Sequence, residues 1–411
     1  MSRPADPVFD PFDPAWSSDP VPLGRALRDR APVHKAALGF WVFARHADCL
    51  ALLRDRRASA DAQHLDYSRM PEGFQPRRDP DDPLAVAVIE ARPFLFRDPP
   101  DHTRLRGLVA KAFTPRMVES LRERTQQVVD ELLDAALEAD RVDLLADFAY
   151  PLPVRIICDL LGVPHDDQDR FKGWSTSLAR GLDPDFLLTP EVMAERDDAV
   201  LQFAAYFFEL LAERRRSPGD DLLSRLVAVE DDGSVLSEGE MLSTCILLLV
   251  AGHETTVNLI AGGAVALLDH PDQRRRFADQ PDLQRPAVEE MLRYVSPVQL
   301  TGRSFIEDVE IGGVTVRAGD FAMLLLGTAN RDAAQFPDPD RFDIARTPNN
   351  HLGFGFGIHH CLGAPLARME TRVALASLVR RAPDLALAGP VTYKTNVVLR
   401  GMEALPVAMR G

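Results

Sequence analysis

The stretch from Glu238 to Asp269 constrains this chain more than any other. It is apolar on nearly all sides, and Ser237 opens it with Glu240 three residues later, the pattern of a capping box. At ~1.5 Å per residue such a helix runs roughly 45 Å, enough to cross a sizeable domain. A helix apolar all round must be buried, so the rest of the chain has to wrap around it. It is not read as a membrane span. The longest apolar run, from Cys245 to Gly252, is closed by His253 and Glu254, well short of the ~18 residues that spanning requires. The N-terminal M-S-R-P-A-D-P has no apolar signal core, and residues 1–20 read as an irregular arm on the surface.

Shorter helices follow from apolar spacing between Pro115 and Ala139, between Val200 and Arg215, and between Leu362 and Arg381. Ser296-Pro297 ends a further helix. The alternation from Val309 to Val316 around Gly312-Gly313 predicts a hairpin, and Phe321 to Leu326 a strand, with a first strand near Trp41. The fold class is therefore mainly α with a minor β region. No repeat and no Gly/Ser linker divides residues 1–411, which read as one large domain. Pro71 to Pro83 reads as a surface loop.

Charge and cysteines exclude several functions. With 47 Lys and Arg against 62 Asp and Glu the net charge is -15, which argues against non-specific nucleic-acid binding. The four cysteines never form C-x-x-C, so zinc and iron–sulfur sites are not indicated, and their sparseness fits a reduced cytosol. The expectation is a soluble cytoplasmic protein with no membrane and no nucleic-acid partner.

Chemistry gathers first at Phe354 to Gly363, F-G-F-G-I-H-H-C-L-G. Glycines permit a tight turn and close approach of the backbone to a flat ligand. Cys361 stands at the start of a helix, with Pro365 just inside it, where unpaired N–H groups favour a thiolate that can ligate a metal or act as a nucleophile. A lone cysteine can also be a small buried hydrophobe. The second concentration is A-G-H-E-T-T, Ala251 to Thr256, inside the long apolar helix. A mid-helix glycine costs about 1 kcal/mol, and a buried Glu254 costs more, so the two within one turn suggest use.

F-x-x-G-x-x-x-C-x-G at Phe354 to Gly363 resembles the haem-binding loop of cytochromes P450, and three further motifs stand in the family's order. The resemblance implies a single P450-type domain with the long helix over the haem, here heme b. Cys361 would be the axial thiolate ligand of the iron. Phe354 and Gly363 would belong to the cofactor loop. Glu254 and Thr255 would be the acid–alcohol pair that handles protons and dioxygen, with Ala251 and Gly252 leaving room for the oxygen. Within D-P-P-D-H-T-R-L-R, His102 and Arg106 would hold the haem propionates, joined by Arg303 and His359. Glu290 and Arg293 match the family's E-x-x-R, with Arg341 of P-D-R-F as the expected third member of a structural ion network.

The same resemblance, to the soluble bacterial type, implies a ferredoxin and a ferredoxin reductase as electron donors, O2 as co-substrate and a monomer. Arg104, Arg106, Lys111, Arg116, Arg368, Arg372, Arg380 and Arg381 form a locally basic set suited to an acidic ferredoxin. The reaction implied is insertion of one oxygen atom into an apolar small molecule. By family position the pocket is lined from the Ala62 to Phe96 loop, the Trp174 to Phe208 region, Leu248, Val298 to Leu300, and Val397-Val398. These are mainly aliphatic, which favours a macrolide, terpenoid or steroid over a fatty acid. Epoxidation and oxidative C–C coupling are alternatives within the family; outside it stand a haem-binding sensor and a partner-recruiting scaffold.

Overall fold

The computed structural model describes residues 6–69, 92–229 and 233–410. The expected loop from Pro71 to Pro83 lies outside them, as does most of the Ala62 to Phe96 lining. The long helix spans Glu238–Asp269, as its sequence predicts. Its capping box is complete: Glu240 N–H donates to Ser237 Oγ, and the Ser237 N–H donates back to the Glu240 carboxylate. Its most apolar window reaches a mean hydropathy of 1.5, enough by composition to cross a membrane, but 72% of that window is buried inside the protein. It is a core helix. Helices Pro151–Leu161, Gln284–Val295 and Ala364–Arg381 pack against it.

Gly252 faces the first of these helices, while Gly262 and Gly263 face the other two more closely, where a Cβ would run into Val295 and, at 2.8 Å, into Leu375. A Cβ at Gly252 would stand 3.3 Å from Ile157 Cδ1 of Pro151–Leu161, a tight contact with the end of a side chain.

Among the described residues, four small sheets flank the helices. The largest has five strands in the order Val33–Lys35, Trp41–Phe43, Phe321–Leu324, Thr301–Phe305, Ala58–Ser59. Only the pair Trp41–Phe43 and Phe321–Leu324 is parallel in it. Its register sets Arg303 opposite Ala322. Gly312 and Gly313, both at positive φ (58° and 82°), turn the hairpin of Val309–Ile311 and Val314–Val316.

Several expectations are corrected. Within the arm expected at 1–20, the described residues 6–20 include helix Pro14–Ser18 and the start of Pro20–Arg30, and Phe9 and Trp16 are buried with edge-to-face rings 4.8 Å apart, while residues 6–13 are irregular. The helix expected from Pro115 to Ala139 is two, Pro115–Ser120 and Arg122–Ala139, jointed at Leu121. The helix expected from Val200 begins ten residues earlier, as Pro190–Arg216, with Thr189 as its N-cap. The strand from Phe321 stops at Leu324, and Leu326–Ala329 is a helical turn.

Candidate functional site

The cysteine loop is held by its own backbone. Gly355 N–H donates to Leu352 C=O at 2.9 Å, Cys361 N–H to Phe354 C=O at 2.9 Å, and His360 N–H to Gly357 C=O at 3.1 Å. Gly357 has φ +71°, and a Cβ there would lie 2.5 Å from the Leu53 carbonyl oxygen. Helix Ala364–Arg381 starts three residues after Cys361, with Gly363 as its N-cap. Burial pushes the Cys361 thiol up, against the opposing pull of the Gly363 and Ala364 N–H groups and of Arg106 and Arg368. The helix start thus favours a thiolate without securing one, and a cation bonded to the sulfur would supply the rest.

Around this cysteine four cationic or ionisable side chains converge. His102 comes from helix Asp101–Ala112, Arg303 from strand Thr301–Phe305, and His359 from the loop itself. The His102 and His359 rings meet with centroids 4.5 Å apart. Burial, then the neighbouring positive charge of Arg303, His102 and Arg106, pushes His359 down to about 3. Burial likewise lowers His102 and brings Arg303 down to about 10. Among the described residues, the Arg303 guanidinium donates only to its own strand, to Gly302 C=O at 2.6 Å and Thr301 Oγ1 at 3.3 Å. Arg106 donates to His360 C=O at 2.5 Å.

Both ring nitrogens of His102, and Nδ1 of His359, are buried with no partner at hydrogen-bond geometry; the Ile358 backbone draws the His102 imidazole upward only weakly against burial. Buried donors without acceptors beside a desolvated arginine are unstable on their own. They fit a ligand that brings carboxylates. Together with a thiol on a glycine-relieved loop, this donor set suits an iron porphyrin with its propionates.

The long helix carries an accessible stripe at mid-length. Leu248, Ala251, Gly252 and Thr255, spaced at three and four, are partly or fully accessible, while Leu249, Val250, His253, Glu254 and Thr256 are buried. Thr255 Oγ1 donates to Ala251 C=O at 2.8 Å, which leaves its lone pairs free to accept. Glu254 points off this stripe to the side: Lys394 Nζ lies 3.3 Å from each of its carboxylate oxygens. Nothing in the sequence marks Lys394, a single lysine in the C-terminal hairpin region.

Glu290 and Arg293 are fully buried and bidentate, both bonds 2.8 Å. The third member is not Arg341. Arg346 reaches Glu290 at 3.1 and 3.2 Å, whereas Arg341 offers only its backbone carbonyl to Arg293 and keeps a side chain 62% exposed. The neighbouring Glu289 binds His351 at 3.1 Å and Arg368 at 2.7 Å. Burial works against its ionisation, but these two hydrogen bonds bring its carboxyl down to about 2. Arg368 in turn lies over the Phe354 ring, 4.5 Å from its centre. Of the expected basic docking set, Arg104 is paired with Glu240, Arg368 with Glu289, and Arg381 with Asp130 and Asp134.

Residues 282–382 match the family model described as Cytochrome P450. Over 416 residues the chain is 45% identical to the mycinamicin IV hydroxylase/epoxidase of Micromonospora griseorubida, covering 98% of this chain and 99% of that one. It is 42% identical over 408 residues to the vitamin D(3) 25-hydroxylase of Pseudonocardia autotrophica, with 97% and 96% covered. Among solved structures, the bacillaene polyketide synthase cytochrome P450 PksS of Bacillus subtilis superposes with a TM-score of 0.88 at 37% identity, covering 98% of this chain and all (100%) of that one.

Proposed function

The chain belongs to the cytochrome P450 family and is a monooxygenase with a haem-thiolate iron cofactor; from that premise we propose how its residues serve that activity and on what substrate. The cofactor is haem b, ligated by Cys361 in a loop that includes Phe354 and Gly363. His102, Arg106, Arg303 and His359 receive its propionates. When bound, the haem supplies the chemistry of dioxygen activation and substrate oxidation. The residues do the rest. Ala251, the accessible small residue of the stripe, keeps the helix surface clear at the oxygen site. Thr255 accepts a hydrogen bond there, its own proton being committed to Ala251. Glu254 supplies protons from the helix flank. Electrons come from a ferredoxin and its reductase.

The substrate is an apolar small molecule of the macrolide or steroid kind. Relatives of nearly full length carry names that specify mycinamicin IV and vitamin D(3), and a structural relative at 31% identity holds testosterone. Of the residues expected to line the pocket, Trp174, Leu300 and Val397 are buried and apolar. Hydroxylation and epoxidation are both open to it, as the name of the mycinamicin relative joins the two.

One observation carries this reading: the unpartnered nitrogens of His102 and His359 beside buried Arg303 and next to Cys361. The ferrous–CO difference spectrum tests it, measured beside Cys361→Ala. A strongly red-shifted Soret band that disappears in the variant supports the reading; a folded wild type without that band overturns it. A pyridine haemochrome spectrum identifies the porphyrin.

A further inference from the structure

Glu254 is an unusual place for a carboxylate. It is 2% exposed, in mid-helix, in the apolar core of the molecule. A buried carboxylate needs a cation or several donors. Three groups from different elements face it: His253 on the same helix, Tyr150 at the head of helix Pro151–Leu161, and Lys394 beyond strand Thr392–Tyr393.

Two of these three bring it no positive charge. His253 Nδ1 lies 2.7 Å from Leu249 C=O and donates to it, so in the neutral ring Nε2 is a bare lone pair. That Nε2 stands 3.9 Å from Glu254 Oε1 and has no hydrogen-bond partner. Burial lowers the His253 imidazolium, which keeps the ring neutral. The Tyr150 hydroxyl is engaged with Ser175 Oγ at 2.8 Å. Among the described residues, that leaves Lys394 as the cation on Glu254, held symmetrically at 3.3 Å from both oxygens. Its side chain is 28% exposed while that of Glu254 is 3% exposed, so the ammonium joins the buried carboxylate to solvent.

The segment carrying Lys394 is fixed at several points. Lys394 N–H donates to Gly401 C=O at 2.9 Å, and a Cβ on Gly401 would meet Asn258 Oδ1, one turn beyond Glu254 on the long helix, at 2.8 Å. Arg180 binds Asn396 Oδ1 at 2.6 Å. Asp183 accepts from Val398 N–H at 2.9 Å and from Val397 N–H at 3.4 Å. The lysine is thus presented from a backbone clamped to two helical regions, not from a free loop.

We infer that Lys394 is a positioning residue for proton delivery: it orients the Glu254 carboxylate at the helix flank and connects it to solvent. The inference rests on the reading of Glu254 as the acid of the oxygen reaction. Hydroxylation consumes one dioxygen, two electrons from the ferredoxin and two protons, and yields the hydroxylated product and water. Without substrate turnover the same two electrons and two protons release the dioxygen as hydrogen peroxide, or four of each reduce it to two waters. Every branch draws protons, so a lost connection slows oxygen consumption and makes the proton step more rate-limiting.

The test uses the haem-loaded enzyme with a plant-type ferredoxin and its NADPH-dependent reductase, without added substrate, in H2O and in D2O at matched acidity. Lys394→Met keeps the stem and removes the charge; Lys394→Arg restores it. Lys394→Met is expected to keep the ferrous–CO band, slow oxygen consumption several-fold and enlarge the solvent isotope effect, and Lys394→Arg to return both towards wild type. A second readout is independent of turnover: Glu254→Gln and Lys394→Met should lower the thermal midpoint by less in combination than the sum of the two alone. If Glu254→Gln changes oxygen consumption and isotope effect while Lys394→Met leaves both at wild type, the role of Lys394 is overturned and that of Glu254 stands. If neither variant changes them, the reading of Glu254 as the acid fails, and this inference with it.

Discussion

The imidazoles of His102 and His359 face each other at 4.5 Å between ring centroids, from elements more than 250 positions apart in sequence, and three of their four nitrogens are buried without a partner. Polar groups left in this state cost ~1–3 kcal/mol each, a cost that a ligand bringing carboxylates would relieve, and the Arg303 charge beside them would favour an anionic one. Replacing Arg303 by Met should therefore weaken haem retention rather than the fold. A charge-assisted bond is worth ~1.5–3 kcal/mol, which corresponds to roughly a tenfold to hundredfold faster loss of haem. Transfer to an excess of apomyoglobin measures it; an unchanged transfer rate would place the propionates elsewhere.

Gly357 should be intolerant of a side chain for two separate reasons. Its φ of +71° is one that L-residues adopt at a cost, and the Leu53 carbonyl occupies the position of a Cβ. Gly357→Ala must move the loop, and Cys361 with it through the turn that joins His360 N–H to Gly357 C=O. The expected outcome is reduced haem content and a ferrous–CO band shifted from its thiolate position, with helix content by circular dichroism retained. Gly233, also at positive φ (76°) but with open space around it, is the control.

The ion network separates what sequence could and could not say. Glu290 and Arg293 were legible because i and i+3 share a helix face whatever surrounds it. Their third partner was not, because residues 330–350 are largely irregular and no periodicity tells which arginine turns inward. Asp338, at φ +47°, bends the chain before Pro339, leaving Arg341 outside and Arg346 inside. The same limit hid Lys394, whose meaning lies entirely in a contact with Glu254, 140 residues away. The long helix was legible to the residue because its cap and its apolar length are both local. The burial of Phe9 and Trp16 was not legible because they find their partners only in the folded protein.

That difference between the two arginines is measurable. Arg346→Ala leaves Glu290 with one cation in place of two inside a fully buried site. Removing one partner of a buried pair costs ~3–5 kcal/mol when none remains, so with Arg293 still in place a loss of roughly 2 kcal/mol is expected. Arg341→Ala should stay within ~0.5 kcal/mol of wild type, as exposed substitutions do. Urea unfolding followed by tryptophan fluorescence compares them. Equal effects would return Arg341 to the network.

Glu370 makes the last prediction, through pH. It sits on helix Ala364–Arg381, is 1% exposed, and its Oε2 has no partner. Burial raises its pKa from 4.5 to about 8. Below pH 4.5 the carboxyl is protonated in both folded and unfolded chains and costs nothing differential. As pH climbs, the unfolded chain ionises freely while the folded one holds its proton, so stability falls between the two values and levels off above the higher one. At pH 7 the loss is roughly 3 kcal/mol, at 1.36 kcal/mol per unit. Glu370→Gln cannot ionise and escapes that loss. The difference in thermal midpoint between variant and wild type should therefore move in favour of the variant from pH 5 to pH 8, whatever its sign at pH 5. A difference that stays constant over that range would mean that Glu370 keeps its ordinary acidity in the fold, through a partner its buried position does not reveal.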